Sequence, residues 1–297
     1  MSELLKFVEL PNGETLSYRE RLGGDQLCLF IHGNMTSSKH WDVLMEVFDE
    51  RFTIIAPDLR GFGQSSYHHR VSHMRDFSDD VKSFVDCLGL KDFSLVGWST
   101  GGAVAMQFCV DYPEYCNKLI LLASASTRGY PFYKTNDDGS PNFSTRFTTI
   151  EEIENDHGKT VPMQALYDKK NREGLKAIWN AAIYTHNKPN QKKYEEYVDD
   201  MLTQRNLADV YHVLNTFNIS HVDNEASKGN GEIDRIQIPT LILYGERDYV
   251  VPVHMTNELI EDFGTKASAV KLNNCGHSPL MDDLDQLQQT IENFLID

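Results

Sequence analysis

The chain has 297 residues, 40% of them hydrophobic and 24% charged, enough to bury one large core. A formal net charge of −16 at pH 7 argues against nucleic acid and anionic membrane as partners. Residues 1–6 do not read as a secretion leader and no apolar run is long enough to span a bilayer. Five scattered cysteines (Cys28, Cys87, Cys109, Cys116, Cys275) suit a reducing compartment better than a disulfide framework, so a cytoplasmic protein is expected.

In chain order, residues 4–10 and 14–20 predict two strands around a Pro11-Asn12-Gly13 turn, an antiparallel hairpin. Gln26–Ile31 reads as a short buried strand running into His32-Gly33-Asn34. Residues 41–48 read as a helix, with Ser37 or Ser38 as its N-cap. Residues 52–56 form the next strand, followed by Pro57-Asp58 and a glycine-rich loop over 59–66. Apolar residues at 77, 81, 84, 85 and 88 predict an amphipathic helix over 77–88. Then come a strand at 93–96, a helix at 102–108 and a strand at 118–123. The alternation stops near residue 127, and 127–235 reads as helical and polar, with Gly/Asn/Asp-rich breaks at 136–142 and 227–231. A strand at 238–244, a helix at 254–263, a strand at 268–272 and a helix at 283–295 resume the pattern. Strands with continuous apolar cores alternating with helices predict a mainly parallel sheet covered on both faces. The expected division is a core of 1–126 and 236–297, with 127–235 inserted over one end of the sheet.

The strongest motif is Gly97-Trp98-Ser99-Thr100-Gly101, lying between a strand and a helix. Gly-x-Ser-x-Gly by itself is weak. With Gly and Ser each near 7% of residues, it arises by chance in about one chain of this length in ten. The strand–turn–helix context makes it a nucleophile elbow, whose tight bend has no room for side chains beside the serine. A serine hydroxyl needs a base within hydrogen-bond reach, and the base needs an orienting acid. His277, in Gly276-His277-Ser278-Pro279, follows the last strand, and Asp248 follows the strand before it. Residues past the carboxyl ends of parallel strands converge on one crevice, and the order Ser99, Asp248, His277 is the one expected with this elbow. Glu246 competes with Asp248. The alternative acid position after the sixth strand, Ser124-Ala125-Ser126-Thr127, holds no acid. Backbone N–H groups of Thr100 and Asn34 are the expected oxyanion hole. Asp58 reads as a brace for the 60–63 turn.

Together these motifs resemble the α/β-hydrolase superfamily, and within it the capped serine hydrolases of esterase or lactonase type. The matching segments are His32-Gly33, Pro57-Asp58-Leu59-Arg60-Gly61-Phe62-Gly63, the elbow, Gly245-x-x-Asp248 and Gly276-His277. The resemblance covers 14–126 and 236–297, and the insertion lies where family members carry a helical lid. It implies an α/β fold with a mainly parallel eight-stranded sheet, helices on both faces and an inserted helical lid. The segment from His32 to Ser38, with Trp41, is similar to haloalkane dehalogenases. Those enzymes and capped epoxide hydrolases attack through an aspartate where this chain has Ser99, and dehalogenases place a halide-binding tryptophan where this chain has Thr100. The Gly-Gly-Pro run of proline iminopeptidases is missing. The reading that follows is hydrolysis of a carboxylic ester or lactone of a small, largely apolar substrate through an acyl-enzyme. Carbon–carbon bond hydrolysis, perhydrolysis or acyl transfer with the same triad, and a non-catalytic ligand receptor, stay open.

Met35, Trp98, Tyr130, Phe147, Trp179 and Tyr184 are the candidates for lining a substrate pocket. His68, His69 and His73 have no Cys or carboxylate set at ligand spacing and read as a solvated loop, so no metal is expected. The triad chemistry calls for no cofactor. A small-molecule substrate is the expected partner, and nothing in the sequence sets the oligomeric state.

Overall fold

A computed structural model describes residues 5–136 and 138–296. Residue 4, the first of the predicted opening strand, lies outside them. β1 (Lys6–Glu9) and β2 (Thr15–Arg21) form the opening hairpin, whose turn closes with Gly13 N–H donating to Leu10 O at 3.0 Å. The alternating core follows: β3 (Gln26–Ile31), α1 (Asp42–Val47), β4 (Phe52–Pro57), α2 (Met74–Cys87), β5 (Phe93–Trp98), α3 (Thr100–Asp111) and β6 (Cys116–Leu122). The insertion holds β7 (Tyr133–Thr135), β8 (Pro141–Arg146), α4 (Ile150–Glu154), α5 (Thr160–Asp168), α6 (Arg172–Ala182), α7 (Gln191–Met201) and α8 (Leu207–Thr216). The core resumes with β9 (Thr240–Gly245), α9 (Val253–Phe263), β10 (Ala267–Leu272), α10 (Pro279–Asp282) and α11 (Leu284–Ile296).

One eight-stranded sheet runs in the order β1-β2-β4-β3-β5-β6-β9-β10. β2 is antiparallel to both of its neighbours, and from β4 to β10 all pairings are parallel. All of β5 is buried, as is the C-terminal part of β3, which fits strands covered on both faces. The chain leaves β3 toward β4 on one side, and β5 lies on the other. The order therefore reverses between β3 and β5, the position past whose carboxyl ends open α/β sheets place their ligand sites. Ile31 pairs with Gly97 at that edge, so the loops beginning at His32 and Ser99 start side by side.

Helix α3, behind the elbow, is buried from Thr100 to Val110. Its approach to the sheet depends on missing side chains. A Cβ on Gly101 would lie 2.2 Å from Ile31 O, and one on Gly102 would lie 2.0 Å from Ser124 Oγ. Gly101→Ala is expected to destabilise the fold by about 1–3 kcal/mol, because rigid backbone must move to admit the methyl group. Urea denaturation of the variant beside the parent chain measures this.

Three local expectations need correction. Helix α2 starts at Met74, three residues before the predicted start, because the Asp76 carboxylate turns back to accept N–H groups of Ser72 (2.7 Å) and His73 (3.1 Å). The helix expected over 41–48 divides into a 3-10 turn, Ser38–Trp41, and α1, with Ser37 as the cap accepting from Lys39 N–H. The insertion is not purely helical. Its first polar break closes the β7–β8 hairpin, in which Asn136 N–H donates to Ser140 O at 2.8 Å and Gly139 sits at φ +84°. β8 shows little apolar alternation, so its sequence carried no strand signal.

No helix among the described residues is long and apolar enough to cross a membrane. All five cysteines are free, and only Cys87 is exposed. Burial pushes the Cys275 thiol up to about 12, so the cysteine beside the His277 turn stays protonated.

Candidate active site

Ser99 stands at the end of β5 with φ +56° and ψ −116°, a conformation that costs a non-glycine residue on the order of 1–3 kcal/mol. The bend lifts the serine above the strand ends. Gly97 and Gly101 make it possible: a Cβ on Gly97 would lie 2.3 Å from Gly101 O. Gly33 clears the opposite side, where a Cβ would lie 3.1 Å from Ser99 Cβ.

The structure brings the three chemical residues together. His277 Nε2 lies 3.1 Å from Ser99 Oγ, and His277 Nδ1 lies 2.8 Å from Asp248 Oδ2. Asp248 Oδ1 accepts the N–H groups of Val250 and Val251, each at 2.8 Å. One carboxylate oxygen is thus fixed by its own loop and the other faces the imidazole. Asp248 and His277 are buried and Ser99 is half-buried, so the base is shielded while the hydroxyl stays reachable. Glu246 is exposed and lies near Lys271 and Asn274, away from the imidazole.

The two oxyanion candidates flank the serine. Thr100 opens α3, where the first N–H groups lack intrahelical acceptors. Asn34 N–H has no hydrogen-bond partner among the described residues. The Asn34 loop is held from below by His32. The Nδ1–H of His32 donates to Gly33 O (2.8 Å), and its Nε2 accepts Leu59 N–H (2.9 Å). That pairing needs a neutral ring, and burial holds the His32 pKa below its ordinary value. Asp58 braces the turn after β4: it accepts from Ser17 Oγ, Ser38 N–H (2.9 Å) and Gln64 N–H (3.1 Å).

Two links had no signal in the sequence. Asp282 Oδ2 accepts Gly276 N–H (2.8 Å) and Asp282 Oδ1 accepts Asn187 N–H (3.1 Å), tying the His277 loop to the insertion. Burial raises the pKa of this carboxyl, and the two N–H bonds pull the other way. On the opposite side, Gln204 Nε2 donates to Asn34 Oδ1 at 2.8 Å. The Asn34 side-chain oxygen is therefore held by the insertion.

The pocket-lining candidates separate into two groups. Met35, Trp98, Trp179 and Tyr184 are buried. The Trp98 indole N–H donates to His277 O (2.9 Å), so this residue anchors the histidine loop. Trp179 packs on His40 and Tyr184 in the interior, with ring centres 5.5 Å and 5.1 Å apart. Phe147, also buried, and the half-buried Tyr130 line a cavity of about 510 Å³ beside the Asp248 loop, and Tyr130 OH donates to Val250 O at 2.9 Å. His69 lies 3.2 Å from Glu14, and no group of three or more His, Cys, Asp or Glu among the described residues is arranged to hold a metal ion.

Comparison with known proteins agrees with this architecture. Residues 27–284 match the family model described as alpha/beta hydrolase fold. The chain is 22% identical to a 2-hydroxy-6-oxononadienedioate/2-hydroxy-6-oxononatrienedioate hydrolase of Pseudomonas sp, over 98% of this chain and 96% of the relative. It is 28% identical to a bifunctional esterase/perhydrolase of Acinetobacter calcoaceticus, over 85% of each. Among solved structures, an esterase from Exiguobacterium antarcticum superposes with a TM-score of 0.76 at 16% identity, covering 99% of this chain and 100% of that one. The chain belongs to the alpha/beta hydrolase fold family.

Proposed function

We propose that the chain is a serine hydrolase cleaving a carboxylic ester or lactone of a small, largely apolar substrate. The observation that carries this reading is the Asp248–His277–Ser99 relay, with 2.8 Å and 3.1 Å links, ending on a serine held at positive φ. In this mechanism His277 Nε2 takes the Ser99 proton as Oγ attacks the carbonyl carbon. The N–H groups of Thr100 and Asn34 receive the oxyanion. His277 passes the proton to the departing oxygen and then deprotonates the water that releases the acyl group. Asp248 holds the proton of His277 on Nδ1 and stabilises the imidazolium. Residues 127–235 act as a lid. Support for that role is that Gln204 reaches Asn34 of the oxyanion loop, while Asn187 reaches Asp282, which holds Gly276 of the histidine loop.

A second reading is hydrolysis of a carbon–carbon bond by the same triad. The name of the Pseudomonas relative favours it. A substrate panel of short aryl esters, acyl lactones and ring-cleavage diketones, each with and without peroxide, separates the readings. The ester reading expects esters or lactones to give the highest kcat/KM. Diketones turning over faster by roughly tenfold or more would transfer the assignment to carbon–carbon cleavage, and peracid as the main product would transfer it to perhydrolysis.

A further inference from the structure

The cavity of about 510 Å³ lies between the β7–β8 hairpin, the start of α5 and the loop after Asp248. Its walls include Tyr130, Phe132, Phe143, Phe147 and Tyr249, and they carry one lysine, Lys159. Two of these rings are left facing solvent: Phe143 is 72% exposed and Tyr249 is 67% exposed. Aromatic rings held open on facing elements of one cavity are a ready surface for a planar apolar ligand.

The charge in this cavity is unusual. Lys159 Nζ sits 4.3 Å from the Phe132 ring centre, 5.2 Å from Tyr211 and 5.7 Å from Tyr130. It makes no ion pair or hydrogen bond among the described residues. Asp156, the carboxylate of the same lining, is held by hydrogen bonds from its own loop and from β7. It accepts from the Thr135 hydroxyl (2.9 Å) and from the N–H groups of Gly158 (3.0 Å), Lys159 (2.9 Å) and Thr160 (3.3 Å). The ring faces hold the ammonium by cation–π attraction but give it no counter-ion. Lys159 is the one lysine of a lining that also holds the Asp156 carboxylate and His254. At physiological salt the surface field is screened within about 8 Å, so an anion in the cavity responds mainly to Lys159 and Asp156.

We propose that this cavity is a binding site for an aromatic carboxylate, its carboxylate paired with Lys159 and its ring packed among the aromatic side chains of the wall. The site adjoins the triad, because Tyr130 OH bonds Val250 O and Val250 N–H bonds Asp248 Oδ1. It does not depend on Ser99 being a nucleophile.

Calorimetric titration of the full chain with 2-naphthoate, and separately with 2-naphthamide, tests the proposal. The expected result is saturable naphthoate binding, tighter than naphthamide by roughly tenfold or more. Lys159→Met is expected to erase that difference and leave naphthamide binding unchanged, while Lys159→Arg retains it. Equal affinity for acid and amide, no saturable naphthoate binding up to roughly 1 mM, or full naphthoate affinity in Lys159→Met would overturn it. Should Lys159→Met fail to fold, Phe143→Ala at the exposed rim takes its place, with roughly tenfold weaker binding of both ligands expected and unchanged binding contradicting the aromatic wall. Turnover enters none of these readouts, so loss of the esterase reading and loss of this site are told apart.

Discussion

Ser99→Ala is expected to lower kcat/KM on a short activated ester by about 10⁴–10⁶-fold, with little change in thermal stability. Alanine keeps the Cβ and the positive φ of the elbow, so the loop geometry survives and only the attacking oxygen is lost. Among the described residues the hydroxyl's one hydrogen-bond partner is His277, which limits the structural cost of removing it. His277→Ala is expected to cost about as much, and the double variant scarcely more, because nucleophile and base act as one unit. Steady-state kinetics on the three variants, with melting curves as the folding control, measures this. Turnover within about tenfold of the parent in Ser99→Ala would remove Ser99 from the chemistry.

The second large effect is expected from Asp248→Asn, and the loop geometry gives its cause. Asp248 Oδ1 accepts the N–H groups of Val250 and Val251, so an amide at this position places its carbonyl oxygen there. The NH₂ group then faces His277 Nδ1, which must accept. The imidazole proton moves to Nε2, opposite Ser99 Oγ, where it blocks proton removal from the serine. The expected loss in kcat is about 10⁴-fold, equivalent to about 5 kcal/mol of barrier, with KM little changed. The histidine keeps its place through the Trp98 bond to its carbonyl and the Asp282 bond to Gly276, so the loss is one of tautomer rather than of structure. A loss below about tenfold would mean that another carboxylate orients His277. Glu246 is the available alternative in sequence, and its exposed position beside Lys271 argues against it.

The parts of the site that could be read from the sequence are those where backbone geometry restricts residue choice. The elbow needs glycines at 97 and 101 because strand, turn and helix approach within about 2 Å of where a Cβ would be. Asp248 and His277 could be placed because each follows a strand of the parallel run, β9 and β10, and parallel strands bring such positions together. The side-chain links had no such signature. Gln204 reaches Asn34 across 170 residues, and Asp282 grips the Gly276 backbone from the next short helix. Neither follows a period or a motif: the first depends on where the insertion lands, the second on how the loop after β10 folds back. The pocket candidates show the same limit. Aromatic residue type alone did not separate Trp179, sealed in the interior, from Tyr130, which lines a cavity. The β7–β8 hairpin escaped because its strands are short, polar and largely exposed.

Ser99, activated by His277, is expected to form a covalent intermediate. Incubation with a serine-directed fluorophosphonate, followed by peptide mass spectrometry, tests it most directly. One stoichiometric adduct is expected on the peptide carrying Ser99, abolished in Ser99→Ala and slowed by about 10³-fold or more in His277→Ala. An unmodified Ser99 in folded protein, or an equally fast adduct on Ser99 without His277, would contradict it.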